Sequence, residues 1–104
     1  MKILRTSSYI KWIEKLRDKQ ARKKIEFSVD RMALHGKLLG DYKSVGDGVI
    51  ELRFHFGAGY RVYCHEEKGT LLLLLIGGDN SSQDKDMEKA KDIIKEWKNN
   101  GCRI

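Results

Sequence analysis

Residues 71–76 read Leu-Leu-Leu-Leu-Leu-Ile, and Gly77 and Gly78 end the run. A strand with one wet side alternates apolar and polar residues, whereas a short unbroken apolar run suits a strand covered on both faces at the centre of a sheet. The run is far too short to span a bilayer, which takes about 20 apolar residues in a helix. With 104 residues, 40% of them apolar and 35% charged, there is material for one core and one domain, residues 1–104. Proline is absent, and no stretch reads as a linker, low-complexity tail or internal repeat.

The remaining periodicities supply partners for that strand. Residues 2–6 read as a short strand. Ser7 or Ser8 can cap a helix whose apolar stripe is Tyr9, Ile10, Trp12, Ile13 and Leu16. Asp18 can cap a second helix running to about His35, with the stripe Ala21, Ile25, Val29 and Met32, and Gly36 stands where a C-terminal cap belongs. The two helices form a hairpin with a very short connection. From Gly40 the period changes. Over residues 49–56, Ile50, Leu52, Phe54 and Phe56 alternate with Glu51, Arg53 and His55. Gly57, Ala58 and Gly59 make a turn, and Tyr60, Val62 and Cys64 then alternate with Arg61, Tyr63 and His65. After the apolar run, Ser81 or Ser82 can cap a last helix with the stripe Met87, Ala90, Ile94 and Trp97. The order β-α-α-β-β-β-α predicts an α+β fold, a small antiparallel sheet with an N-terminal helical hairpin and a C-terminal helix.

Charge divides the chain. Residues 1–46 carry 12 Lys and Arg against 5 Asp and Glu, and residues 47–104 carry 9 against 10. The excess gathers at Lys19, Arg22, Lys23 and Lys24, off the apolar stripe of the second helix. Such asymmetry suits a polyanion such as RNA or an acidic protein; a solvated helix face with no partner explains it equally well. Met1 to Ser8 lacks the apolar stretch of a secretory signal, so the expected location is the cytoplasm, with Cys64 and Cys102 reduced. Two cysteines give neither a zinc spacing nor a CxxC motif.

Pairing Phe56 with Tyr60 across the turn sets His55 opposite Arg61, Arg53 opposite Tyr63 and Glu51 opposite His65, all on the side that the phenylalanines leave free. A bulge in the turn would shift these pairs by one. Two arginines there can hold a phosphate in a planar fork of donors and stabilise a phosphorane. His55 can take or give a proton near neutral pH, and Tyr63 can orient a base. No carboxylate cluster suggests a metal site, so cleavage on this face would proceed without metal or cofactor, using the 2′-hydroxyl of RNA as nucleophile. The plainer readings are a Glu51–His65 ion pair and an Arg53–Tyr63 stack.

Longer blocks carry a family resemblance. The stretch from Gly40 to Val49, Glu51-Leu52-Arg53, the Gly57-to-Tyr63 block containing Gly-Tyr-Arg-Val-Tyr, and Leu73 to Ile76 followed by Gly77-Gly78-Asp79 resemble the addiction-module-killer group of the RelE/HigB toxin superfamily. Trp12, Leu16, Ala21, Arg22 and Ile25 upstream, and Ser82, Gln83, Asp86 and Trp97 downstream, extend the resemblance over nearly the whole chain. It implies a RelE/ParE-like fold and the toxin of a type II toxin–antitoxin system: a ribosome-associated endoribonuclease that cuts messenger RNA and is silenced by a cognate helix-turn-helix antitoxin, with no membrane partner. The basic positions of the family fall on Lys43, Arg53 and Arg61, and Arg61 matches the arginine that contacts the scissile phosphate. Catalysis is thus expected of Arg61, Arg53, His55 and Lys43, and RNA binding of Tyr63, Asn80, Lys85, Lys19, Arg22, Lys23 and Lys24. Asn80 departs from the lysine usual after Gly-Gly-Asp, whose role is vacant or passes to Lys85. ParE-like proteins share the fold and poison DNA gyrase without cutting RNA. The alternatives are therefore such an inhibitor or a non-catalytic RNA-binding domain.

Overall fold

A computed structural model describes residues 1–67 and 69–99. Lys68, in the turn that Glu66, Glu67, Lys68 and Gly69 suggest before the apolar run, and Cys102 lie outside them. The elements are β1 (Lys2–Arg5), α1 (Ser7–Lys15), α2 (Lys19–His35), β2 (Asp41–Gly46), β3 (Val49–Phe54), β4 (Tyr60–Glu67), β5 (Leu71–Asp79) and α3 (Gln83–Asn99). They form the expected α+β architecture, with a five-stranded sheet ordered β1-β5-β4-β3-β2. The sheet is antiparallel except at β1, which runs parallel to β5, Lys2 beside Leu71 and Arg5 beside Leu74.

Both faces of β5 are covered. Leu72 and Leu74 pack with the α1–α2 hairpin and the β3–β4 residues Leu52, Tyr60, Val62 and Cys64. Leu73, Leu75 and Ile76 pack with Val49, Tyr63 and the α3 stripe Ala90, Ile94 and Trp97. Leu75 and Ile76 share a side because β5 bulges there: Tyr63 pairs with Ile76 and Cys64 with Leu74, leaving Leu75 unopposed. The alternation is thereby reset, and Gly77 turns under Trp12 while Gly78 turns toward Asp86.

The helices form where their stripes require. Asp18 Oδ1 accepts from the Ala21 backbone N–H at 3.0 Å, and Gly36 closes α2 in the left-handed conformation. Ala21, Ile25, Val29 and Met32 are all buried between these caps. In α1, Tyr9 and Ile13 are buried, Trp12 and Leu16 are half-buried, and Ile10 points outward at 40% exposure.

Four local expectations are corrected. Thr6, not Ser7 or Ser8, caps α1: its Oγ1 accepts from the Tyr9 N–H while its hydroxyl donates to the Leu75 carbonyl. One extended residue thus ends β1, starts α1 and ties both to β5. Asp79, not Ser81 or Ser82, caps the last helical segment, which opens as a single 3-10 turn before α3. β2 had no periodic signature, because this edge strand leaves nearly every side chain in water. Finally, Phe54 rather than Phe56 pairs with Tyr60, so the β3–β4 loop is two residues longer than expected. A shift of two preserves which face each side chain occupies.

Gly77 has no room for a side chain, since a Cβ would overlap the Trp12 ring. That ring is held against Tyr9, with centroids 6.0 Å apart. Gly77→Ala is expected to cost about 1–3 kcal/mol through overpacking. Gly36→Ala meets nothing within 4 Å. It should cost only the left-handed backbone penalty, about 1–2 kcal/mol. Urea unfolding of both variants checks this: Gly77→Ala should also perturb the near-ultraviolet tryptophan signal, whereas Gly36→Ala should leave it intact.

Candidate functional site

The site begins with a carboxylate. Glu51 stands on β3, opposite Tyr63 of β4 and between the buried Leu52 and the half-buried Ile50, and its side chain is 0% exposed. A buried charge is tolerated only when paired and hydrogen-bonded. Here Arg53 Nε donates to Glu51 Oε1 at 2.8 Å, and Gln83 Nε2 and the Tyr63 hydroxyl donate to Oε2 at 3.1 and 3.3 Å. Arg61 Nε lies 3.5 Å from the same Oε2, outside hydrogen-bond geometry. Burial alone would raise the Glu51 pKa; the Arg53 and Gln83 hydrogen bonds and the two guanidinium charges outweigh it and hold the carboxyl below the ordinary 4.5. Glu51 therefore stays ionised and fixes one edge of Arg53, with Arg61 alongside.

The second part lies at the open edge of the same face. Asp41 of β2 pairs in register with Arg53, and Lys43 with Glu51. Asp41 Oδ2 is 2.6 Å from His55 Nε2 and 3.9 Å from Arg53 Nη1. The His55 hydrogen bond, with help from the Arg53 and Lys43 charges, keeps the Asp41 carboxyl ionised below its usual range. His55 itself is 72% exposed, on the loop that follows β3, with Asp41 orienting its ring from behind. Arg61 is held from the other side, where its Nη1 donates to the Asn80 side-chain oxygen, and Asn80 Nδ2 donates to the Ala58 carbonyl. Asn80 thus joins the end of β5 to the β3–β4 loop. At neutral pH the face carries Arg53, Arg61 and Lys43 against Glu51 and Asp41, one net positive charge besides His55.

Of the residues expected to act together, the structure gathers Arg53, Arg61, His55 and Lys43, with Asn80 beside Arg61. Tyr63 is corrected. It is fully buried with its hydroxyl on Glu51, so it has no face to offer a base, and burial followed by the Glu51 charge raises its pKa. The Glu51–His65 pair is also corrected: His65 bonds to the Gly48 carbonyl and to Glu67 and packs on Trp97. Arg53 goes to Glu51 rather than stacking on Tyr63. Lys85 is exposed in the first turns of α3. Lys19, Arg22, Lys23 and Lys24 are exposed on α2, across the sheet from Glu51; only Lys24 reaches toward the loop, 4.8 Å above the Phe56 ring. Glu51, Gln83 and Asp41 were missed as site residues. Among the described residues no group of three His, Cys, Asp or Glu side chains is placed to hold a metal ion. No helix of the described residues is long and apolar enough to cross a membrane.

No protein-family model matches the chain. An uncharacterized protein of Haemophilus influenzae is 42% identical over 96 residues, which span 92% of this chain and 95% of that protein. The chain belongs to the family of this Haemophilus protein. The match extends over nearly all of both sequences, so what the family shares is the whole domain rather than a short motif.

The Glu51 network has an acid signature. A carboxyl with a depressed folded pKa adds stability above its unfolded pKa, and that stability is lost as pH falls through the folded value. Glu51→Gln should be less stable than wild type at pH 7. On acidification below pH 4.5 it should lose less, having no carboxyl there to protonate. Urea unfolding at stepped pH reads the difference, and parallel curves for the two proteins would contradict the network.

Proposed function

We propose that this chain is the toxin of a toxin–antitoxin pair and cleaves messenger RNA. The observation that carries the reading is a pair of guanidiniums at one buried carboxylate, Arg53 hydrogen-bonded to it and Arg61 within ion-pair distance, beside an aspartate-oriented histidine on an open rim. Arginine forks suit phosphate oxygens, and donors fixed in advance need no reorganisation as charge develops. The resemblance of the Gly-Tyr-Arg-Val-Tyr and Leu-Leu-x-x-Gly-Gly-Asp type blocks to the RelE/HigB superfamily supports the same reading.

In the reaction the scissile phosphate sits on the outward N–H groups of Arg53 and Arg61. The 2′-oxygen attacks phosphorus while His55 takes its proton, and the P–O5′ bond breaks. Lys43 adds positive charge to the face. The products are a 2′,3′-cyclic phosphate and a 5′-hydroxyl, with a proton returned to the leaving oxygen. Asn80 braces Arg61, and Lys85 meets the RNA beyond it. On the far side of the sheet, Lys19, Arg22, Lys23 and Lys24 hold ribosomal RNA through phosphate contacts that read no bases. The partner that silences the protein in the cytoplasm is a small helix-turn-helix antitoxin.

Primer extension on a cellular transcript during expression tests the reading. Discrete cuts are expected; intact RNA with DNA damage would move the protein to the gyrase inhibitors. Arg61→Ala should lower cleavage about 100- to 1,000-fold, the effect of one preorganised donor. Growth arrest undiminished in that variant at equal protein level would remove Arg61 from the site. Neutralising Lys19 and Lys23 should flatten the salt dependence of ribosome binding, while unchanged binding would return them to a solvated helix face.

A further inference from the structure

On the β5 side of the sheet, a groove of about 710 Å³ opens between α1 and α3. It shares no side chain with the Glu51 face, and its size is that of an ordinary ligand or side-chain pocket. The floor is apolar: Trp12, Leu16, Tyr60 and Ile76 line it, and Gly77 admits the Trp12 ring. The rim is cationic. Lys11, Lys15 and Arg17 reach it from α1 and the loop after it, and Lys89 from α3; all four are exposed, and among the described residues none has a carboxylate within ion-pair distance.

Three aspartates also line the groove, but each is engaged within the chain. Asp18 accepts from the Ala21 N–H, Asp79 from the Ser81 N–H, and Asp86 from the Ser82 hydroxyl at 2.5 Å. Their charges remain, so the lining carries four cations against three aspartates, with the cations free of ion pairs among the described residues and outward around an apolar floor.

We infer that this groove docks an acidic amphipathic segment of a partner protein. Apolar side chains of that segment displace water from the half-buried Trp12 and Leu16, and its carboxylates meet Lys11, Lys15, Arg17 and Lys89. A nucleic-acid strand fits less well. Phosphates gain nothing from an apolar floor, and the aromatic rings are engaged in packing, Trp12 on Gly77 and Tyr60 at 8% exposure. Because the groove lies on β5 and the Glu51 face on β3 and β4, a segment bound here leaves Arg53 and His55 open. The inference stands on the groove alone and does not rest on RNA cleavage.

The test uses the full chain labelled with nitrogen-15 and a synthetic peptide of Leu and Glu in helical amphipathic order. The indole N–H resonances of Trp12 and Trp97 are the readout, with Trp97, buried in the α3 core, as internal reference. The Trp12 resonance should shift and saturate, the Trp97 resonance should hold, and affinity should fall as salt rises. Combined Lys15→Glu and Arg17→Glu should weaken binding about tenfold or more while leaving the rest of the spectrum folded. An unmoved Trp12 resonance, equal binding of a peptide with Lys in place of Glu, or an oligouridylate that shifts Trp12 where the acidic peptide does not would each overturn the inference.

Discussion

A strand of five leucines and an isoleucine has no side that tolerates water, so the α1–α2 hairpin must cover one face of the sheet and α3 the other. That demand sets the order of the layers. β5 takes the position next to β4, with only the short β1 outside it, and β2 is left at the far edge. Burying a large aliphatic side chain gains about 1.5–3 kcal/mol relative to leaving it exposed, and Leu72, Leu73, Leu74 and Leu75 are all fully buried. The bulge at Leu75 serves the same layering: it puts two consecutive large side chains toward α3 and frees Gly77 and Gly78 for the close approach of Trp12 and Asp86.

The candidate face arises where α3 stops covering the sheet. Its C-terminal half seals Val49 and Leu75 with Ile94 and Trp97; its first residue, Gln83, reaches only as far as Glu51. Beyond that point the same face of β3, β4 and β2 meets solvent and carries Arg53, Arg61, Lys43 and Asp41. Glu51 stands on the boundary, dry enough to need partners and near enough to the rim to fix Arg53 and set its charge beside Arg61. A carboxylate placed fully in solvent would be screened and would leave the guanidiniums free to rotate.

Much of this was legible in the residues. The α2 stripe with its Asp18 and Gly36 caps, the α3 stripe, the alternating β3 and β4, and the doubly buried β5 each follow from local periodicity. β2 was not, because an exposed edge strand has no apolar alternation to betray it, and Asp41 was lost with it. The register error of two residues left the faces correct, so Arg53, Arg61 and Glu51 were still placed together. Tyr63 and Glu51 were misread for a different reason. Alternation tells which side a residue faces but not whether a helix covers that side, so by itself it reads a polar strand face as wholly wet. One carboxylate among two arginines on a single face was the available sign that Glu51 holds the arginines rather than His65.

In the proposed reaction the substrate supplies its own nucleophile to a phosphate held between Arg53 and Arg61. The direct measurement is cleavage of a ribosome-bound messenger carrying a single 2′-deoxynucleotide immediately 5′ to the phosphate that the wild-type protein cuts in the all-ribose message. The account predicts that this cut disappears, while the all-ribose message yields fragments ending in a 2′,3′-cyclic phosphate. Undiminished cutting at the deoxy position, or products ending in a 3′-hydroxyl, would contradict it.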